Sequence, residues 1–141
     1  STPKKHLNAN NTSIVLKIDF DDFSLVTTGD IETPIEQQLV REKKNLNAVV
    51  LKVPHHGSST SSSIDFINAV NPKFAVISVG KNNKYKHPEQ ATLNKYKLLN
   101  EIILYRTDLN GTVEMITDGK EIKIKIRKLS DIDKLYKSLN D

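Results

Sequence analysis

Lys52-Val53-Pro54-His55-His56-Gly57-Ser58 is the stretch that decides the fold. It follows the apolar run Ala48-Val49-Val50-Leu51 and opens into a hydroxyl-rich segment over 58–63. A short apolar run bounded by Pro and Gly reads as a buried strand. Pro54 ends it, so His55 and His56 stand where the strand leaves its sheet. In open α/β sheets that carboxyl edge is where ligands bind. Neutral imidazole is the commonest metal ligand and a usual acid–base group near neutral pH. A surface pair that only bonds a turn is the plainer reading.

Working outward toward the N-terminus, Phe23 to Thr28 reads as a strand that stops at Gly29-Asp30, with Ser13 to Ile18 as its hairpin partner across Asp21-Asp22. Gly29 permits a sharp turn that aims Asp30 past the sheet edge. Thr33-Pro34-Ile35-Glu36 has the pattern of a capping box with Pro at the first helical position. Residues 1–12 form a polar lead-in. Toward the C-terminus, Ile64, Phe66, Ile67 and Val70 predict a helix, with Asp65 near its start. Phe74 to Val79 predicts another buried strand. After Gly80 a polar loop carries Tyr85 and His87-Pro88, and Pro88 opens a helix burying Leu93, Tyr96 and Leu99. Ile102 to Tyr105 predicts a strand. Asn110-Gly111 signals a hairpin into Val113 to Ile116, and Asp118-Gly119 turns into Glu121 to Arg127. Ser130 to Leu139 has helical spacing. Alternating strands and helices between terminal hairpins predict an α/β fold with a mixed sheet and flanking helices.

The chain has 141 residues, no cysteine and a net charge of +4. That length suits one domain, and the lack of cysteine excludes disulfides and thiolate metal sites. No apolar stretch approaches the ~18 residues of a membrane span. The mild basicity is compatible with a polyanionic partner.

Asp30, His55 and His56 end successive β-α units, so a carboxylate and an imidazole can converge in a donor set suited to Zn²⁺, Mn²⁺ or Fe, with unrelated surface polar groups as the alternative. His87 ends a loop at the same edge. The Gly57-to-Ser61 loop precedes a helix start and is a candidate anion cradle, though a plain flexible loop is the simpler reading. A Ser58–His55–Asp30 triad lacks the Gly-x-Ser-x-Gly elbow. Lys123, Lys125 and Arg127 share one strand face, which tracks a phosphate backbone or guards an edge against aggregation.

Thr28-Gly29-Asp30, then Leu51 to Ser58, Ser78-Val79-Gly80, Asn83-x-Tyr85-x-His87-Pro88 and Arg106-Thr107-Asp108-x-x-Gly111 occur in order. Together they resemble the metallo-β-lactamase-fold domain of the ComEC-type DNA-internalisation competence proteins and their stand-alone relatives. The resemblance implies the C-terminal half of an αββα sandwich over 13–128, followed by a C-terminal helix over 129–141. It implies a metal site in which Asp30 is a bridging carboxylate and one of His55 and His56 the late metal histidine, with His87 a catalytic residue beside the substrate. It also implies divalent ions, Zn or Mn, two in the complete domain. The parent would be a phosphodiesterase or nuclease in the bacterial membrane, with this domain extracytoplasmic and soluble. DNA and the membrane-channel part of the parent would be its partners. The His-x-His/Asp-x-Asp-His motif that opens such domains is missing; His6 stands alone. The expectation is therefore a fragment with little activity by itself, able to pair with a second copy through an uncovered sheet face. A non-catalytic module binding DNA or a protein partner, on a degenerate version of this fold, is the alternative. Another esterase of the superfamily is a third reading.

Overall fold

A computed structural model describes residues 8–128. The expected C-terminal helix over 129–141 lies outside them. The first hairpin is β1 (Leu16–Phe20) and β2 (Phe23–Thr27). Three crossovers follow: α1 (Thr33–Arg41) to β3 (Val50–Lys52), α2 (Ile64–Val70) to β4 (Phe74–Ile77), and α3 (Gln90–Leu98) to β5 (Ile103–Arg106). The helical turn α4 (Thr107–Asn110) then leads to the hairpin β6 (Thr112–Thr117) and β7 (Ile122–Arg127). The main sheet has the order β1-β2-β3-β4-β5, antiparallel between β1 and β2 and parallel thereafter. The fold is thus α/β with a mixed sheet flanked by helices. Among the described residues no helix is long and apolar enough to cross a membrane.

The crossovers step in one direction. Their common right-handedness puts α1, α2 and α3 on one face, and the core lies beneath them. Val26, Leu51, Ala75 and Ile77 point from the sheet into a cluster with Phe66, Ile67, Val70 and Tyr96, all buried. Each such aliphatic or Phe side chain contributes about 1.5–3 kcal/mol on leaving water. The opposite face carries Leu16, Ile18 and Phe20, each about half exposed, and Ile103. The β6–β7 hairpin reaches across from the end of β5 to the first hairpin, where Asp22 donates its N–H to the Gly119 carbonyl at 2.8 Å.

Two expectations need correction. Asn110-Gly111 does not turn a hairpin. The Asn110 side chain accepts the Arg106 N–H at 2.8 Å, closing a helical turn that Gly111 ends at φ +76°. Strand β6 therefore pairs with β7 and not with β5. The capping box also fails. Glu32 is the N-cap residue of α1 and makes no side-chain cap bond. Glu36 is fully buried, and its two carboxylate oxygens accept the N–H groups of Ser62 (2.6 Å) and Ser63 (2.7 Å).

That last contact also settles the 58–63 segment. Hydrogen bonds hold it. Within the Gly57-to-Ser61 loop proposed as an anion cradle, the Ser59 N–H is taken by the chain's own Glu89 at 2.9 Å, while Glu36 binds the two amides that follow the loop, those of Ser62 and Ser63. Burial pushes the Glu36 carboxyl above its ordinary range, against the pull of its hydrogen bonds to Ser63 and Ser62. The Ser59 amide holds Glu89 below it.

Candidate functional site

The parallel strands β2, β3 and β4 all end at one sheet edge, and the candidate residues sit on the loops that leave it. After β2, Gly29 takes φ +57°, where a Cβ would come within 2.8 Å of the Ser13 side chain. The Asp30 N–H is held by the Ser13 hydroxyl at 3.1 Å. After β3, Pro54–Gly57 forms a tight 3-10 turn. His55 and His56 both adopt left-handed backbone, φ 48° and 53°. Two consecutive non-glycine residues there store strain, which clusters at functional sites. The turn is held by the His55 N–H bond to the Gly29 carbonyl, 3.1 Å. Its other side is packed against the last loop: at Gly57, φ +85°, a Cβ would lie 2.6 Å from the Pro88 side chain.

The structure brings Asp30, His55, His56 and His87 to this one edge, but in unlike roles. His56 Nδ1 lies 2.6 Å from the Ser78 carbonyl and so donates its proton there. In the neutral ring this leaves the lone pair on Nε2. That Nε2 faces Asp30 Oδ1 at 3.5 Å. Two ligands on a tetrahedral zinc, at bond lengths of about 2.1 Å, stand about 3.4 Å apart.

His55 is engaged on both nitrogens. Its Nε2 accepts from the Asn10 amide at 3.5 Å, and its Nδ1 lies 3.4 Å from the Thr60 hydroxyl and 3.7 Å from Glu32 Oε1. His55 also meets His87 edge-on, with ring centroids 5.7 Å apart. Burial, and then the nearby His55, pull the His87 pKa below its ordinary value, so its resting form near pH 7 is neutral. Among the described residues only His87 Nδ1 and Thr28 Oγ1 are buried side-chain polar atoms with no hydrogen-bond partner. Such orphans are rare in native structures, and both flank this edge. The Ser58 hydroxyl turns to Thr60 and Glu89 and away from His55, so no triad forms.

Several residues at the edge carried no signal in the sequence. Glu32 collects Asn8, Asn10 and Thr60. Asn10 itself belongs to the polar lead-in, of which Ala9–Thr12 forms a 3-10 turn. Half-buried Lys52 has its pKa lowered by burial, with the Asp30 carboxylate opposing. The donor chemistry of Asp30 and His56 suits a divalent ion, but only as part of a set. No group of three or more His, Asp or Glu side chains is placed to hold a metal among the described residues.

No family model matches the chain. It is 44% identical over 105 residues to the ComE operon protein 3 of Bacillus subtilis, covering 74% of this chain and 13% of that protein. It is 43% identical over 112 residues to the competence protein ComA of Neisseria gonorrhoeae, covering 79% and 16% respectively. With recombination protein 2 of Haemophilus influenzae the identity is 37% over 91 residues, 11% of that protein. The chain thus spans less than a fifth of the curated relatives it matches, and along most of its own length it is homologous to one segment of the competence proteins.

Proposed function

We propose that this chain is part of a metal-dependent phosphodiester hydrolase, a metallo-β-lactamase-like αββα domain within a longer DNA-uptake protein of the bacterial membrane. The domain works outside the cytoplasm, and DNA is the substrate. The competence names of the relatives support the DNA-uptake setting. The observation that carries the chemistry is the 3.5 Å approach of His56 Nε2 to Asp30 Oδ1, with His56 Nδ1 fixed on the Ser78 carbonyl. Two lone-pair donors face each other at ligand spacing, and the second nitrogen is oriented as in metal-bound histidines.

In this reading Asp30 and His56 hold a zinc or manganese ion, and the remaining ligands of a two-ion site come from outside residues 8–128. A bound ion supplies charge that polarises a phosphoryl oxygen and yields a nucleophile at neutral pH. The chain's own residues do the rest. His55, locked between Asn10, Thr60 and Glu32, braces the turn. His87, neutral at rest, takes or shares a proton beside the substrate. Lys52 offsets negative charge at Asp30.

Metal content tests this, by elemental analysis of the 141-residue chain beside a longer protein that includes the His-x-His/Asp-x-Asp-His motif. The expected result is about two ions and DNA cleavage in the longer protein alone. If neither form binds metal, the hydrolase reading is wrong and a non-catalytic binding module takes its place.

A further inference from the structure

The loop from Gly80 to His87 is rigidly built yet presents an aromatic ring to solvent. Asn83 organises it. Its side-chain amide donates to the carbonyls of Gly80 (3.1 Å) and His87 (2.6 Å), and its Oδ1 accepts the His87 N–H at 3.0 Å. The Asn83 carbonyl accepts the Lys86 N–H at 3.1 Å. Held this way, Tyr85 remains 66% exposed. Its ring lies nearly parallel to that of His87, at 17° and 5.9 Å between centroids, and the Lys84 ammonium is 4.9 Å from its centre. Lys81, Lys84 and Lys86 are exposed. Among the described residues none of the three pairs with a carboxylate.

An aromatic ring held in water on a braced loop, between unpaired lysines, is the arrangement that binds single-stranded nucleic acid. Bases stack on the ring and ammonium groups follow the phosphates. Duplex bases are already stacked on each other and offer no free face. The Lys84 contact is no obstacle, because an exposed cation–π pair is weaker than a base stack. The platform also leads inward, since Tyr85 stacks on His87 and His87 meets His55.

We infer that the Lys81–His87 loop is a stacking platform for an unpaired base of a single-stranded polynucleotide, with Tyr85 under the base and Lys81, Lys84 and Lys86 on the adjoining phosphates. The inference rests on the reading of the neighbouring site as one that acts on phosphodiesters, and it specifies the strand that site receives.

Fluorescence anisotropy tests it, using a labelled oligothymidylate of about twelve nucleotides, within the site sizes usual for such proteins, and a blunt duplex of equal length. EDTA keeps binding separate from hydrolysis. The wild-type chain is expected to favour the single strand. Tyr85→Ala is expected to weaken that binding about 5- to 100-fold, Tyr85→Trp to retain it, and neither to alter the melting curve. Replacing the three lysines by Gln is expected to lower the salt slope by about 2. Equal affinity for the duplex, unchanged binding by Tyr85→Ala, or no binding by the wild type overturns the platform. These outcomes leave the hydrolase reading to its own test. Conversely, a longer protein without metal or cleavage overturns that reading even where Tyr85-dependent binding persists.

Discussion

The buried carboxylate of Glu36 accepts the N–H of Ser62 at 2.6 Å, tying α1 to the start of α2. Together with the Ser63 N–H bond, this contact fixes the segment that follows the histidine turn. Replacing Glu36 by Ala strands the buried Ser62 amide and the part-buried Ser63 amide and is expected to cost about 3 kcal/mol. Urea denaturation checks this through the shift in midpoint.

The same residue gives a pH dependence of known sign. Burial raises its pKa above 4.5. Above that value the native state therefore holds more protons than the unfolded chain, so stability falls as pH rises through the window. The contribution is fully present below 4.5. Glu36→Gln removes the titration, and the difference in stability between wild type and this variant is expected to change across the window in that direction. A difference that stays flat with pH contradicts the assignment.

Gly57 is where the His55–His56 turn touches the His87–Pro88 loop. An alanine there meets both a left-handed φ of +85° and a Cβ at 2.6 Å. Gly57→Ala is expected to cost about 1–3 kcal/mol. It should also separate the two loops, which NMR reads as shifts of the His55 and His87 ring signals. A variant of wild-type stability with unmoved signals contradicts the close packing.

The two adjacent histidines are expected to respond differently in a metal-binding form of the protein. Asn tolerates left-handed backbone, so His→Asn removes the ring with little added strain. His56→Asn is expected to abolish zinc uptake. His55→Asn, acting on a bracing residue, is expected to reduce affinity by about 10–100-fold. Isothermal titration separates them, and the reverse order would reassign the ligand.

The sequence made some of this legible and left other parts dark, for physical reasons. Asp30, His55, His56 and His87 follow strands that end at one edge, and Gly29, Pro54 and Gly57 mark those ends locally. The strands and the first hairpin were readable because their signals are short-range. Glu36 was misread because it abandoned a local partner for one that tertiary structure supplied, and Asn110 because its side chain closes a helical turn onto the Arg106 N–H four residues back, a local alternative to the hairpin turn. Glu36 serves amides 26 and 27 residues away. Glu32 and Glu89 were invisible for the same cause. Their partners Thr60 and Ser59 lie 28 and 30 residues away, and no spacing rule reaches that far.

The contact between Asp22 and Gly119 has a consequence for how the chain folds. It closes a loop that runs through every parallel strand, and the entropy of that closure predicts that it forms after the central sheet. The last hairpin is then expected to dock late, as a clasp on the first. Loosening it, for example with Gly119→Val, whose Cβ would meet Asp21 at 2.9 Å, should speed unfolding while leaving the folding rate nearly unchanged.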